Sequence, residues 1–210
     1  EALAVLNPSV IREKDGWRMY YRALSNPAAI ISQFAAQSTI GEAFSEDGLH
    51  FHSRRQVIVP QEEWEAFGCE DPRVTKIDGK YFIFYTALSL YPYRQEGIRI
   101  GLAITKDFKT FEKHPVTPFN AKAMTLFPEK INGKYVVLLS VHTDLPPTKI
   151  CVAQFDRIED IWSPEYWDAW YRTLPDHELP FERYPHDHIE TGTPPLKTKN
   201  GWLIFYSSIQ

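Results

Sequence analysis

A pattern of polar turns and apolar strands recurs four times along the 210-residue chain. In each copy an Asp-Gly or Asn-Gly pair follows a short segment with apolar positions and precedes an apolar or aromatic run. The glycines of these pairs are Gly16, Gly79, Gly133 and Gly201, and the runs that follow them occupy residues 17–21, 81–85, 135–139 and 202–206. Because Asp-Gly and Asn-Gly favour the positive φ angles of type I′ turns, each copy predicts a β-hairpin.

Further strands follow each hairpin. Apolar segments at 40–44, 98–104 and 150–155 predict a third strand in the first three copies, and residues 49–51 and 108–111 predict short outer strands. The turn glycines lie 63, 54 and 68 residues apart. Units of about four strands at such a period are typical of a β-propeller, and a β-sandwich is the alternative architecture.

The last third of the chain departs from this rhythm. Residues 156–185 are rich in Pro, Trp and Tyr and predict a long loop with one helical turn. The fourth copy reaches its second strand by residue 210, so we count three and a half to four blades. Since a propeller closes on itself to satisfy its edge strands, we expect residues 1–210 to form one β-propeller domain that continues in a longer protein.

Composition narrows the classes of partner. Aromatic residues make up 14% of the chain, and the net charge is −4 with a pI near 6.0. A mildly acidic surface argues against nucleic acid or an anionic membrane as partner, whereas aromatic rings suit the C–H faces of sugars. The cysteines Cys69 and Cys151 lack the spacing of a zinc site, and we expect no cofactor. Composition leaves cytoplasm or periplasm open as the location, and the oligomeric state undetermined.

Candidate chemistry is concentrated in residues 68–73, Gly-Cys-Glu-Asp-Pro-Arg, which come directly before a strong strand. Strand alternation predicts that Asp71 and Arg73 share one face and that Glu70 points to the other. Pro72 suits a rigid edge or the start of a strand. Carboxylates fixed at a strand mouth suit acid–base chemistry on a sugar, while a turn with a surface salt bridge explains the same residues equally well.

Four segments together carry a family resemblance. They are Asn7-Pro8 with Tyr-Arg-Ala at 21–23, residues 68–73, Phe-Pro-Glu-Lys-Ile-Asn-Gly-Lys-Tyr at 127–135, and Gly-Thr-Pro-Pro at 192–195 followed by residues 201–206. On these segments the chain resembles glycoside hydrolase family 130, the mannoside phosphorylases and related mannosidases. The resemblance implies an all-β, five-bladed β-propeller with the active site in its central channel.

The resemblance also implies roles for single residues. Asp71 matches the general acid of the family, and Asn7, Arg22 and Arg73 match positions that hold the sugar or shape the site. Glu70, beside the acid, is a further candidate for substrate binding. A turn cap would also account for Asn7, and salt bridges between blades would also account for the two arginines.

Three departures from the family pattern concern phosphate binding, which requires charge-assisted donors. Where family phosphorylases usually show a His-Arg pair, this chain has Leu139-Ser140. Where a His-Gly pair usually follows the last tyrosine of the fourth segment, this chain has Ser207-Ser208. A lysine is also missing before residue 192, and Glu190 lies near the expected anion site. We therefore predict an inverting hydrolase of a β-mannoside or a related glycoside, with Glu190 as the base, Asp187 behind it, and carboxyl groups about 6.5–9.5 Å apart. A plain loop carboxylate would account for Glu190 equally well.

Two other functions stay open. A mannoside phosphorylase would need inorganic phosphate and cations from elsewhere, for example Arg172, Arg183 or Lys197, and a non-catalytic propeller would bind sugar without turnover. A cluster of His177, His186 and His188 with two aspartates has some features of a metal site. We predict no metal, and we assign His188 to substrate binding.

Overall fold

A computed structural model of the chain describes residues 2, 4–25, 37–181 and 188–209. The strands are β1 (Ala4–Glu13), β2 (Gly16–Leu24), β3 (Ser38–Ser45), β4 (His52–Ile58), β5 (Gly68–Ile77), β6 (Lys80–Leu88), β7 (Ile98–Thr105), β8 (Glu112–Pro115), β9 (Ala121–Leu126), β10 (Tyr135–Val141), β11 (Lys149–Phe155), β12 (His188–Thr191), β13 (Leu196–Thr198), β14 (Gly201–Leu203) and β15 (Tyr206–Ile209). The helices of these residues are α1 (Pro164–Arg172) and the 3-10 helices Glu63–Glu65, Gln95–Gly97, Ile158–Trp162 and Leu174–His177. Within the described ranges no helix has the length and apolar character to cross a membrane.

The strands form successive antiparallel units. β1 to β4 make the first unit, β5 to β8 the second and β9 to β11 the third, while β12 pairs with β15 and β13 with β14 in the fourth. The first strands of neighbouring units pack against each other, β1 on β5, β5 on β9 and β9 on β12. Innermost strands of propeller blades meet in this way around a central axis, so the prediction of a β-propeller is confirmed.

The turns of the hairpins fall into two kinds. In the second hairpin the φ angles are 51° at Asp78 and 74° at Gly79, and in the third they are 52° at Asn132 and 82° at Gly133. Two successive positive φ angles are what a type I′ turn requires. In the first and fourth hairpins the turn lies one residue earlier, because Gly16 and Gly201 already pair across the hairpin. A Cβ atom at Gly16 would lie 2.3 Å from the carbonyl oxygen of Ser45, so this glycine serves strand packing and not the turn.

The predicted outer strands at 49–51 and 108–111 are wrong, since β4 begins at His52 and β8 at Glu112. Asp47 and Asp107 each accept hydrogen bonds on Oδ1 from the backbone N–H groups two and three residues ahead, at 2.8–2.9 Å. These Asx turns hold the following residues out of the sheet, and pairing starts only after them.

The segment 156–185 contains more helix than the predicted single turn. Helix α1 begins after Ser163, whose Oγ accepts a hydrogen bond from the backbone N–H of Tyr166 at 3.2 Å, with Pro164 in the first helical position. Its Trp167 and Trp170 are buried in the core between the second and third units. Burial of two indole rings stabilises a helix that is too short to be stable alone. Residues 182–185 lie outside the described residues.

Candidate active site

The predicted site residues of the first, second and fourth units lie at one end of the propeller. In each of the first three units, the start of the first strand pairs with the end of the second strand, as Gly68 does with Leu88. The connections β2–β3, β6–β7 and β10–β11 therefore leave the sheets at the end where the first strands begin. His188 begins β12 and Glu190 is the third of its four residues, so both lie near the corresponding end of the fourth unit.

A β-bulge interrupts each of the first three inner strands near this end. Register shifts fall after Leu6 in β1, after Glu70 in β5 and after Lys122 in β9. The residue that follows each of these has a left-handed backbone, with φ of 48° at Asn7, 52° at Asp71 and 55° at Ala123. Bulges redirect side chains, and Asn and Asp tolerate this conformation better than other non-glycine residues. The repeated bulge thus explains why Asn7 and Asp71 lie in equivalent places.

Asp71 lies in a cluster that joins the first two units. The amide Nδ2 of Asn7 donates a hydrogen bond to Asp71 Oδ1 at 2.7 Å. Arg22 Nη1 lies 3.8 Å from the same oxygen, and Arg22 Nη2 lies 2.6 Å from Glu70 Oε1. The structure therefore brings Asn7, Arg22, Glu70 and Asp71 together, although Asn7 and Asp71 lie 64 residues apart in the sequence.

The predicted alternation of Glu70 and Asp71 is wrong. Both carboxylates approach Arg22, because the bulge between Glu70 and Arg73 removes the strict two-residue period at this point. Pro72 lies within this bulge, and among the described residues β5 pairs with β6 alone at this level, so Pro72 occupies a sheet edge as predicted, where the missing N–H of a proline is tolerated, and not a strand start.

Glu70 is a mostly buried carboxyl with several partners. Ser38 Oγ donates to Glu70 Oε1 at 2.7 Å and accepts from Arg22 Nε at 3.1 Å. Burial raises the pKa of Glu70 and Asp71 raises it further, whereas Arg22, Ser38 and Lys122 lower it. Glu70 is held by the protein and orients Arg22 beside Asp71.

Arg73 connects the Asp71 bulge to the fourth unit. Its guanidinium donates three hydrogen bonds to backbone carbonyl oxygens: from Nη1 to Asp71 at 2.9 Å, from Nη2 to Thr191 at 3.0 Å and from Nε to Gly192 at 2.9 Å. Burial lowers the pKa of Arg73, while the carboxylates of Asp71 and Glu190 raise it. Both carboxylates thus lie within the electrostatic field of one guanidinium, although they come from different units.

Glu190 and His188 form a second polar group. His188 Nε2 lies 2.8 Å from Glu190 Oε1, and His188 Nδ1 lies 2.9 Å from Thr148 Oγ1. Because a carboxylate only accepts hydrogen bonds, Nε2 carries the hydrogen of this contact. The arrangement fixes the Glu190 carboxylate on β12, where its side chain is 25% exposed, at the same end of the propeller as Asp71.

The positions at which basic residues are missing have structural roles here. Leu139 and Ser140 are fully buried in β10, and Ser140 Oγ accepts a hydrogen bond from the backbone N–H of Thr191 at 3.0 Å. Ser207 and Ser208 pair with Glu190 and Ile189 in the β12–β15 ladder.

The two described cations among the suggested replacements lie away from the site. Arg172 is exposed at the end of α1, and Lys197 forms an exposed ion pair with Glu129 at 2.6 Å. Arg183 lies outside the described residues, as do Asp187 and His186. His177 stacks on Trp170, and among the described residues no three metal-ligating side chains come together.

Sequence reasoning missed Ser38, Lys122 and Thr148. Ser38 and Thr148 contact the site from loops or strand ends, and short polar residues there carry no local signal. Lys122 precedes the bulge of the third unit as Glu70 precedes that of the second, but this equivalence becomes visible only in the strand pairing. Its Nζ lies 3.2 Å from Asp144, and its charge lowers the pKa of Glu70.

Comparisons with known proteins show what the chain is similar to. The model of glycoside hydrolase family 130, described as beta-1,4-mannooligosaccharide phosphorylase, matches residues 1–210. Two relatives from Thermoanaerobacter sp. (strain X514) are a 1,2-beta-oligomannan phosphorylase, 33% identical over 98% of this chain, and a beta-1,2-mannobiose phosphorylase, 32% identical over all of it. This chain spans 64% and 66% of their respective lengths.

A solved structure supports the fold. The beta-1,2-mannobiose phosphorylase from Listeria innocua, in complex with beta-1,2-mannobiose, superposes with a TM-score of 0.72 at 22% identity, covering all of this chain and 69% of that one. The sheets described above are blades of the five-bladed β-propeller of such enzymes. A family match over every residue, relatives above 30% identity and this common fold lead to one conclusion: the chain belongs to glycoside hydrolase family 130.

Proposed function

We propose that the protein is a phosphorylase that cleaves β-linked mannosides with inorganic phosphate. The observation that carries this proposal is the Asp71 carboxylate, which a β-bulge and the Asn7 amide hold near the start of β5, with Arg22 beside it. The acceptor is inferred from the relatives, because both Thermoanaerobacter proteins are named as phosphorylases of β-1,2-linked mannosides. They favour phosphorolysis over the hydrolysis that the three missing basic residues predicted.

In the proposed reaction Asp71 acts as the general acid. An oxygen of inorganic phosphate attacks the anomeric carbon from the face opposite the leaving group, and the bond from that carbon to the glycosidic oxygen breaks. The leaving oxygen takes the proton of Asp71, and the proton released by the phosphate restores the acid. The products are α-mannose 1-phosphate and a saccharide shortened by one unit, so the configuration is inverted.

Phosphate needs cationic donors, and the site offers two that the sequence pattern did not single out for this role. Arg22 and Lys122 both act on Glu70, from the first and the third unit respectively. Each already has a carboxylate partner, at 2.6 Å for Arg22 with Glu70 and at 3.2 Å for Lys122 with Asp144. In this proposal phosphate approaches these cations without requiring a basic residue at 139–140.

Hydrolysis is the second candidate. Two observations favour it: no cation is found at the buried positions 139 and 140, and His188 holds Glu190 in place at 2.8 Å. Glu190 would then remove a proton from a water that attacks the anomeric carbon, and Asp71 would protonate the leaving oxygen as before.

One assay separates the two reactions. The full-length protein is incubated with β-1,2-mannobiose and with β-1,4-mannobiose, with and without inorganic phosphate, and the products are separated by chromatography. We expect mannose 1-phosphate that forms only when phosphate is present, and loss of this product in Asp71→Asn. Free mannose at an equal rate without phosphate, lost in Glu190→Gln, would establish hydrolysis instead. Binding of both sugars without any product would indicate a sugar-binding propeller.

A further inference from the structure

Three aromatic rings lie together on the surface next to Glu70. Phe67 directly precedes β5, and Tyr91 and Tyr93 belong to the β6–β7 connection. Tyr91 stacks on Phe67 with ring centroids 6.1 Å apart, and Tyr93 meets Tyr91 edge-on at 5.4 Å. Exposed aromatic residues are common when they occur singly, but contiguous exposed rings mark an interaction site.

The platform formed by Phe67, Tyr91 and Tyr93 stays open to solvent. Tyr93 is 45% exposed and Phe67 is 39% exposed, whereas Tyr91 is half-buried between them. The Tyr93 ring therefore offers apolar area to a ligand together with a hydroxyl group that can form hydrogen bonds. This combination suits a sugar, whose C–H face is apolar and whose edge is polar.

Backbone contacts fix the platform before any ligand binds. Phe67 N donates to the Leu88 carbonyl at 2.8 Å, and Ser89 N donates to the Gly97 carbonyl at 2.8 Å, which closes the β6–β7 connection. Asn120 Nδ2 of the third unit also donates to the Gln95 carbonyl at 3.1 Å. Rings held in this way lose little conformational entropy when a sugar stacks on them.

The platform borders the proposed site. The β6–β7 connection leaves the second unit at the end where β5 begins, which is the end that carries Glu70 and Asp71. Burial raises the pKa of Tyr93, Glu70 raises it further and Arg22 lowers it, so the phenol lies within the electrostatic field of both groups. Phe67 precedes Asp71 by four residues, which corresponds to at most about 13 Å along β5 because the bulge after Glu70 shortens the strand.

We propose that Phe67, Tyr91 and Tyr93 form a subsite that stacks against a third mannose unit of the substrate. This inference rests on the proposed function, because it takes the bond cleaved at Asp71 as its reference point. Asn7, Arg22, Glu70 and Asp71 surround that bond and hold the sugars on its two sides. The platform lies beyond them, so it contacts oligosaccharides of three or more units and leaves a disaccharide untouched.

Calorimetry on the full-length protein in an Asp71→Asn background tests the subsite without turnover. The probes are β-1,2-mannobiose and β-1,2-mannotetraose. We expect Tyr93→Ala to raise the Kd of the tetraose about tenfold, equivalent to the loss of one stacked ring, and to leave the Kd of the biose unchanged. Tyr93→Phe keeps the ring and should stay within about threefold of the parent. Leu49→Ala, at an 80% exposed residue in the β3–β4 turn, serves as the matched surface control.

The possible results separate the two proposals. If neither sugar binds to the Asp71→Asn parent protein, the proposed function is refuted together with the subsite. If both bind but Tyr93→Ala and Phe67→Ala leave the tetraose unaffected, the subsite is refuted while the proposed function stands. Equal weakening of the biose and the tetraose would also overturn the subsite, because the rings would then belong to the two-sugar site.

Discussion

Replacement of Arg73 by Met should destabilise the protein strongly. The change removes three hydrogen bonds from one guanidinium to the carbonyls of Asp71, Thr191 and Gly192, at 2.9–3.0 Å. A hydrogen bond from a charged donor contributes roughly 1.5–3 kcal/mol. Water will reach some of the freed carbonyls because the side chain is not completely buried, so we expect a loss of about 3–5 kcal/mol in the free energy of unfolding.

The size of the loss in the free energy of unfolding distinguishes a contact that links two units from an ordinary surface contact. A typical domain is stable by about 5–15 kcal/mol, so this single change would remove a large part of that stability. Arg73→Lys keeps the charge but loses the planar fork, and it should recover only part of the loss, leaving about 2 kcal/mol. Because Arg73 also holds the backbone of Asp71, both variants should lower kcat more than they raise KM.

Urea unfolding of the full-length protein, followed by tryptophan fluorescence, gives the free energies, and steady-state kinetics give the second readout. Arg54→Met is the matched control, since Arg54 is exposed on β4 and its loss should stay within about 0.5 kcal/mol of wild type. A loss below about 1 kcal/mol for Arg73→Met would refute the role of the three carbonyl contacts. Equal effects in Arg73→Lys and Arg73→Met would show that the fork geometry is unimportant.

Two further predictions concern the bulge and the buried carboxyl. Ala123→Gly should stabilise the protein by about 0.5–1 kcal/mol in urea unfolding, because the relief of the left-handed backbone strain exceeds the entropic cost of the freedom that glycine adds to the unfolded chain. The control is Ala103→Gly in the extended strand β7, which should destabilise the protein. A loss of stability at both positions would contradict the prediction. For Glu70, burial raises the folded-state pKa above the ordinary value of 4.5. The contribution of this carboxyl to the free energy of unfolding is therefore complete below pH 4.5, and it is lost as the pH rises through the folded-state pKa. The free energy of unfolding of Glu70→Gln relative to wild type should therefore increase with pH above 4.5, and a decrease would mean that the ion pair with Arg22 outweighs burial.

Most of the fold could be predicted because its signals are local. An Asp-Gly or Asn-Gly pair between two apolar runs specifies a hairpin within a dozen residues, and its recurrence specifies the blades. The helix α1 also had a local signal, the N-cap Ser163 followed by Pro164, which the Pro-rich composition of the segment obscured. The outer strands failed because Asp47 and Asp107 hold the residues that follow them in turns, and an apolar pattern does not show this.

The site could be predicted only in part, because much of it depends on register and distant contacts. Asp71 could be selected as a candidate site residue from its sequence neighbours. The bulge that turns Glu70 and Asp71 toward the same arginine, however, exists only when β5 pairs with β6. The prediction of hydrolysis rested on basic residues missing at three positions. Arg22 on β2 forms an ion pair with Glu70, and the charge of Lys122 on β9 lowers the pKa of Glu70, so cations act at the site without any of those positions and the missing residues alone do not determine the nucleophile.

The repeated bulge explains how one architecture carries different chemistry in each blade. The same left-handed backbone presents an amide at Asn7, a carboxyl at Asp71 and a methyl at Ala123. The backbone geometry costs little for Asn and Asp, but for alanine it costs about 1–2 kcal/mol, so side-chain propensity alone does not account for the third bulge. The bulge in β9 is instead held by the fold, since Thr191 Oγ1 donates to the Ala123 carbonyl and Thr191 N donates to Ser140. The fourth unit therefore supports the third, and the position of Ala123 is maintained even though its side chain has no polar group to offer.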